Sequence, residues 1–228
     1  MLIFVEKKLI IYSMPKTGTT SIQKALENSA TIKFGRTGKY GLKHIDAQNF
    51  QKWKKTLKNQ FPGDKFVSCC VMREPIDLLR SWYKYQSRTK VKSDKKFTGS
   101  MTFDKYLNNL YEKKIQDKSN RTPFNRQSRF LFPKNKMLID RIFPYQNFDS
   151  FIEFITRKIG KDFEIPKVNI SPKTAEKELV IKDDTLKKIE EFISFDKEIY
   201  DQILKLGSFN SENVEHIKKL KNIFQKFK

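Results

Sequence analysis

The stretch LIIYSMPKTGTTS, residues 9–21, decides the fold. Its apolar beginning predicts a buried strand over Leu9–Ser13, and its hydroxyl-rich end predicts the start of a helix over Thr19–Asn28. A junction of this kind points several backbone N–H groups and the positive end of a helix at one place. Gly18 allows the backbone to approach an anion closely, and Lys16 adds a positive charge. The stretch therefore predicts a phosphate-binding loop between a strand and a helix.

A second informative stretch, VMREPIDLLRSWY at residues 71–83, continues another apolar run. Phe66–Met72 is apolar on both faces, which is typical of a buried strand in a parallel sheet. Arg73 would then stand at the carboxyl end of that strand, where ligands bind in open α/β sheets. Ser81 lies about two turns into the helix that follows, so both side chains could contact one dianionic group. The alternative is that Arg73 forms a surface ion pair with a nearby carboxylate.

Strands and helices alternate along the rest of the chain. The remaining predictions are a third strand over Met137–Phe143 and helices over Ala47–Asn59, Pro75–Gln86, Thr102–Lys114, Asn147–Ile159, Leu186–Phe195, Lys197–Leu206 and Glu212–Phe227. This alternation predicts the α/β class: a three-layer fold with a central, mostly parallel sheet flanked by helices, and a helical C-terminal third. The length of 228 residues suits a single domain over residues 1–228.

Charge and composition limit the classes of protein further. The chain has 47 basic and 26 acidic residues, and its net charge of +21 favours anionic partners. The codon usage of an AT-rich genome explains a lysine excess equally well. No run approaches the roughly 18 apolar residues of a membrane span, and charges interrupt the apolar N-terminal residues in a way that is not typical of a signal peptide. We therefore expect a soluble cytoplasmic protein.

Neither disulfide nor metal chemistry is expected. Cys69 and Cys70 are adjacent on a predicted strand, so they point to opposite faces and cannot pair with each other. The chain has two histidines, His44 and His216, which argues against a histidine-based metal site. His216 stands among charged residues on a polar helix face and is expected to be inert.

In their order and spacing, the two stretches resemble the sulfotransferases that use 3′-phosphoadenosine 5′-phosphosulfate (PAPS). That family has a P-K-[ST]-G-T-[ST] loop after its first strand, as at residues 15–20. It also has an R-x-P pattern with a serine eight residues after the arginine, as at Arg73 and Ser81. Weaker similarity covers 140–160, 169–171 and 196–200. The resemblance implies a P-loop-like fold and transfer of a sulfuryl group from PAPS to a hydroxyl or amine, with no metal required.

The resemblance also implies roles for the matched residues. Lys16 would stabilise the leaving bridging oxygen, and the 5′-phosphate would be bound by Thr17, Gly18, Thr19, Thr20 and Ser21. Arg73 and Ser81 would bind the 3′-phosphate, which distinguishes PAPS from ATP, and Lys173 would contact the nucleotide from a closing loop. Sulfuryl transfer needs positioning and charge stabilisation more than covalent catalysis, and a donor charged at both ends needs two anion sites.

His44 is the candidate general base. It follows Lys16 by 28 residues, in the segment where members of the family carry a catalytic His or Glu. A neutral histidine suits this task at physiological pH. Asp46 is the fallback, and a surface histidine beside lysines is the other interpretation.

Residues 125–131 resemble a stretch near the acceptor site of carbohydrate-modifying members of that family, which implies a role in binding an acidic sugar. Lys43, Gln127 and Arg129 are the expected substrate-binding residues, although residues 121–132 could equally form a solvated basic loop. The lysine-rich surface and the similarity to carbohydrate-modifying members favour a polysaccharide or a glycolipid as acceptor. The oligomeric state and the acceptor itself stay open.

Three other interpretations are weighed against this one. A P-loop kinase would need G-x-x-x-x-G-K-[ST], but Lys16 precedes Gly18 and the first glycine is missing. A nucleic-acid-binding protein would use the basic surface, but the sequence has none of the common motifs of that class. The loop could also be an ordinary strand-to-helix turn capped by threonine, but such a turn has no need for a lysine.

Overall fold

The computed structural model describes residues 1–35, 42–63, 65–88, 98–116, 124, 126–166 and 179–227. Within them, six strands form a sheet: β1 (Leu2–Phe4), β2 (Leu9–Ile11), β3 (Ile32–Lys33), β4 (Val67–Met72), β5 (Arg141–Pro144) and β6 (Phe209–Asn210). Their order across the sheet is β3-β1-β2-β4-β5-β6.

The sheet is mixed rather than mostly parallel. β2, β4 and β5 run parallel to one another, whereas β1, β3 and β6 pair antiparallel with their neighbours. β1 and β2 form a hairpin, because the chain turns at the charged residues 6–8 and the N–H of Lys8 donates to the carbonyl of Val5 at 3.0 Å. The α/β class is confirmed, and the prediction of a mostly parallel sheet is wrong.

Helices flank the sheet on both faces. They are α1 (Thr19–Leu26), α2 (Gln51–Gln60), α3 (Pro75–Gln86), α4 (Phe103–Gln116), α5 (Arg126–Leu131), α6 (Phe148–Ile159), α7 (Asp183–Lys205) and α8 (Val214–Lys226). α1 and α6 contribute Ile22 and Phe151 to one apolar core, and α7 and α8 contribute Ile199 and Phe224 to another. In the ranges that the structure describes, no helix has the length and apolar character needed to span a membrane.

The largest difference from the predicted elements concerns one long helix. α7 passes through Asp196 without a break, whereas the sequence predicts two helices, Leu186–Phe195 and Lys197–Leu206. Asp196 is fully buried, and its carboxylate accepts hydrogen bonds from the backbone N–H groups of Gln127 and Ser128 at 3.2 and 3.1 Å. A polar residue inside an apolar pattern is easily mistaken for a helix boundary when its partner is unknown. Here the partner is the start of α5, a short helix that the sequence analysis does not predict.

Other differences lie mainly at the ends of elements. The helix predicted over Pro75–Gln86 is confirmed at both ends. α2 begins at Gln51 rather than at Ala47, and β5 begins at Arg141 rather than at Met137. β1, β3 and β6 are not predicted, since strands of two or three residues are too short to show a periodic pattern.

The three parallel strands bring the candidate residues to one edge of the sheet. The carboxyl ends of β4 and β5 lie side by side, with Met72 opposite Pro144. The loop that carries Lys16 follows β2 at this edge, Arg73 follows β4, and Tyr145 follows β5. The fold therefore places the two predicted anion sites next to each other, at the edge where open α/β sheets bind ligands.

Candidate functional site

The loop between β2 and α1 has an unusual backbone conformation and leads into a helix without a side-chain cap. Lys16 and Gly18 both have left-handed backbone angles, with φ of 70° and 74°. For a residue with a side chain this conformation costs on the order of 1 kcal/mol or more, and such strain concentrates at functional sites. Gly18 provides no side-chain cap for α1. The N–H groups of Ser21 and Ile22 donate to the Gly18 carbonyl at 3.0 and 3.3 Å, so it is those of Thr19 and Thr20 that face solvent or a ligand.

The hydroxyl groups of the loop do not all face outward. Thr17 is buried, and its hydroxyl donates to the carbonyl of Met14 at 3.0 Å. Its side chain therefore closes the loop, which leaves its backbone for the implied phosphate contact. Thr19, Thr20 and Ser21 lie partly exposed in the first turn of α1.

A second lysine reaches the same helix start. Lys43 Nζ donates to the Thr20 hydroxyl at 2.9 Å. The sequence predicts Lys43 as a substrate contact, and the structure places its ammonium at the first turn of α1. The edge therefore carries positive charge from two lysines that are 27 residues apart in the chain.

The Lys16 ammonium lies against aromatic rings. Nζ is 4.3 Å from the ring centre of Tyr85 and 5.6 Å from that of Trp82. The pKa of Lys16 is lowered to about 8, first by burial and then by repulsion from Arg88 and Arg73. Aromatic faces attract a cation but do not neutralise it. The site thus holds an excess of positive charge that a bound anion would relieve.

The residues of α3 and just beyond it that surround Lys16 are not among the predicted site residues. Trp82, Tyr85 and Arg88 follow one another at intervals of three, so they lie along one side of α3 and its extension. The Arg88 guanidinium lies 5.1 Å from the ring centre of Tyr85. This spacing of aromatic and basic residues after Arg73 was the available signal. It is ambiguous, because aromatic residues at helical spacing more often belong to a core.

Arg73 is held on three sides. Its Nε donates to Asp77 Oδ2 at 2.5 Å, its Nη1 donates to the carbonyl of Lys16 at 2.8 Å, and its guanidinium lies 4.5 Å from the ring centre of Tyr145. The ion pair that the sequence left as an alternative is therefore present, with Asp77 as the partner. The Arg73 side chain is nevertheless only 17% exposed, and it joins the second motif to the loop. The N–H groups outside these bonds are the ones that a phosphate could use.

Gln127 does not lie at an acceptor surface. It is fully buried, and its amide bonds to both polar groups of the Arg73 main chain. Oε1 accepts from the N–H at 2.8 Å, and Nε2 donates to the carbonyl at 2.6 Å. A side chain with no exposed surface cannot contact an acceptor sugar, so the expected substrate-binding role of Gln127 is corrected: it holds Arg73.

His44 is hydrogen-bonded to Ser13, two residues after the end of β2. Its Nδ1 lies 2.7 Å from the carbonyl oxygen of Ser13. A carbonyl can only accept, so Nδ1 carries the hydrogen and the lone pair of the neutral ring is on Nε2. A general base acting through Nε2 requires this tautomer. The fallback, Asp46, uses both carboxylate oxygens to accept from Asn49 at 2.7 and 2.8 Å.

Three further residues complete the predicted set. Ser81 is half-buried in α3, four residues before Tyr85 and so on the same side of the helix as that ring. Arg129 is half-buried in α5, where burial lowers the pKa of its guanidinium and Asp196 opposes that effect. Lys173 lies outside the described residues, as does the landmark at 169–171.

Comparisons with known proteins add no family to this description. No family model matches the chain, and no curated protein matches it. Among the residues that the structure describes, no group of three or more His, Cys, Asp or Glu could hold a metal ion. Function is therefore inferred from the chemistry of this edge of the sheet.

Proposed function

We propose that this protein is a sulfotransferase that moves a sulfuryl group from PAPS to a hydroxyl or amine of a carbohydrate or glycolipid. The positive charge around Lys16 carries the proposal: burial, Arg88 and Arg73 lower the pKa of this lysine to about 8. A partly buried lysine that lies near two arginines, and whose pKa is lowered mainly by burial, favours a site for an anion. The uncapped start of α1, which lies beside it, favours the same kind of ligand.

Two adjacent anion positions support PAPS over a nucleotide with one phosphate chain. The first is the start of α1 with Lys16, in a P-loop-like strand, loop and helix. The second is Arg73 with Ser81 of α3. Arg73 touches the loop through the Lys16 carbonyl, so the two positions belong to one edge. A donor with phosphate groups at its 3′ and 5′ ends has the charge distribution that this pair of positions would recognise.

Lys16 and His44 have different roles in the transfer of the sulfuryl group. The acceptor oxygen forms a bond to sulfur while its proton passes to Nε2 of His44. The bond between sulfur and the bridging phosphate oxygen breaks, and the Lys16 ammonium stabilises the negative charge left on that oxygen. The sulfuryl group carries less charge than a phosphoryl group, so an ammonium and helix amides are a sufficient counter-charge without an obligatory divalent ion.

The proposed acceptor class rests on charge. Lys43 at the loop and Arg129 in α5 add to a protein whose net charge is already +21, and such a surface attracts acidic glycans. We place the reaction in the cytoplasm, because PAPS is a cytosolic metabolite.

Calorimetric titration with 3′-phosphoadenosine 5′-phosphate (PAP), AMP and ATP, without added metal, tests the proposal. We expect PAP to bind at least about tenfold more tightly than AMP, as a hydrogen-bonded charge pair at the 3′-phosphate predicts. Arg73→Ala should remove this preference, whereas Arg141→Ala, at the opposite end of the neighbouring strand β5, should keep it. Equal binding of PAP and AMP by the wild type would reject the 3′-phosphate site. Binding of ATP alone, strengthened by Mg²⁺, would indicate a phosphoryl-transfer enzyme instead.

A further inference from the structure

Directly after β4, the side chain of Gln127 is hydrogen-bonded to the main chain of Arg73. The Gln127 amide offers one acceptor and one donor, and these meet the N–H and the carbonyl of Arg73 at 2.8 and 2.6 Å. A neighbouring β-strand would offer the same pair of bonds. Because Gln127 is fully buried, water cannot readily replace either bond. The position of the Arg73 main chain is therefore tied to the position of Gln127.

A buried carboxylate in turn fixes Gln127. Asp196 Oδ2 accepts from the backbone N–H of Gln127 at 3.2 Å, and Asp196 Oδ1 accepts from that of Ser128 at 3.1 Å. These residues begin α5, whose six residues are too few to form a stable helix alone. An acidic group at the start of α5 accepts hydrogen bonds from the first N–H groups of the helix and interacts favourably with the helix dipole. Burial raises the pKa of Asp196 to about 6, so the carboxylate is still ionised at neutral pH.

The series of contacts from Asp196 through Gln127 to Arg73 ends at the loop between β2 and α1. The Arg73 guanidinium donates to the carbonyl of Lys16 at 2.8 Å, and Lys16 holds a left-handed backbone conformation. We propose that Gln127, fixed by the carboxylate of Asp196, is a positioning residue for Arg73 that sets how strongly the site prefers a nucleotide bearing a 3′-phosphate. This inference rests on the proposed function, since it treats Arg73 as a nucleotide-binding residue. Supporting residues of this kind keep a binding group in its productive geometry.

The ratio of the affinity for PAP to the affinity for AMP distinguishes a positioning role of Gln127 from a merely structural one. Gln127→Met removes both hydrogen bonds at similar side-chain volume and should lower that ratio by about tenfold, the effect of misplacing one charged hydrogen-bonding group. Thr185→Val is the matched control, because it removes a buried hydrogen bond of α7 at 2.8 Å to Asn108. It should lower thermal stability to a similar extent and leave the ratio unchanged. An unchanged ratio in Gln127→Met would overturn the proposal.

Amide hydrogen exchange at Arg73 in the ligand-free protein is a second readout, and it does not depend on PAPS. Gln127→Met should accelerate exchange of this amide by at least about tenfold over its rate in Thr185→Val, since its hydrogen-bond acceptor is gone. Asp196→Asn should accelerate it as well, because one carboxylate oxygen becomes an NH₂ group that cannot accept. Unchanged exchange in Gln127→Met would overturn the positioning role. If the wild type shows no preference for PAP, the proposed function fails, and the exchange rates still decide whether Gln127 positions Arg73.

Discussion

The central sheet has one edge where its parallel strands begin and an opposite edge where they end. The two edges differ in how their charged groups are paired. At the edge where β4 and β5 begin, Asp140 accepts from the N–H and the hydroxyl of Ser68 at 2.8 and 2.5 Å, and from the hydroxyl of Ser211 at 3.3 Å. Lys65 forms an ion pair with Glu212 nearby. These polar groups find their partners within the protein, so this edge is balanced without a ligand.

At the edge where β2, β4 and β5 end, the positive charges outnumber the negative ones near the loop. Arg73 has Asp77 as a partner, whereas the charged groups that act on Lys16 are the cations Arg73 and Arg88. The helix that starts there lacks a side-chain cap. Such an arrangement costs folding stability, and proteins keep departures of this kind at functional sites. The excess of positive charge at this edge, which the opposite edge lacks, is the difference on which the proposed anion site rests.

Lys16→Ala is expected to have the largest effect. Turnover should fall by roughly 10²- to 10³-fold, since removal of one group that stabilises transition-state charge has effects of this size. PAP affinity should fall much less, because the amides of α1 and Arg73 remain. Release of PAP from PAPS in the presence of acidic polysaccharide acceptors measures turnover. Lys65→Ala, at the balanced edge, is the control and should keep full activity, and wild-type turnover in Lys16→Ala would remove this residue from the mechanism.

His44→Ala is expected to come second. Loss of a general base should lower turnover by roughly 10²-fold. PAP affinity should stay unchanged, because the base serves the acceptor. His216→Ala is the matched control: this histidine accepts a hydrogen bond from the N–H of Asn210 at 3.1 Å, at the balanced edge. If PAP affinity falls together with turnover in His44→Ala, the histidine instead shapes the loop through its bond to Ser13.

The pH dependence of kcat/KM for the donor should show a smaller effect. The value of kcat/KM should fall gradually as the pH rises. Lys16 must be protonated to stabilise the leaving oxygen, and a lysine whose pKa is lowered to about 8 loses its charge as the pH rises through that value. Above it, kcat/KM should fall by about tenfold per pH unit. Arg88→Gln removes one of the cations that depress this pKa, so the fall should move to higher pH. A flat profile across this range would contradict the assignment.

The loop edge could be predicted from the sequence because its signals are local. Residues 9–21 encode a strand, a turn and a helix start within a short stretch, and Arg73 directly follows a strand of continuous apolar character. The structure accordingly brings Lys16 and Arg73 to the same edge. His44 could be predicted as a candidate, but its bond to Ser13 depends on how the chain returns to β2.

The residues that support this edge could not be predicted because their partners are distant in the chain. Gln127 lies 54 residues from Arg73, and Asp196 lies 69 residues from Gln127. A pattern of apolar and polar residues reports burial, but it does not report which buried polar groups meet. The sequence therefore predicts a boundary between two helices at Asp196 and a substrate contact at Gln127. Trp82 and Tyr85 are hard to predict for a related reason: a ring beside a cation and a ring in a core have the same helical spacing.

Ser68→Ala should have the smallest effect and decides whether the two edges are independent. It removes a hydroxyl that donates to Asp140 at 2.5 Å and accepts from the N–H of Asp140 at 3.1 Å, while the backbone N–H of Ser68 still bonds to the carboxylate. The free energy of unfolding, measured by chemical denaturation, should fall by about 1 to 2 kcal/mol. PAP affinity should not change, since this serine stands at the opposite end of β4 from Arg73. A tenfold loss of PAP affinity at that small cost in stability would show that the balanced edge also shapes the anion site, and the charge imbalance alone would then not explain binding.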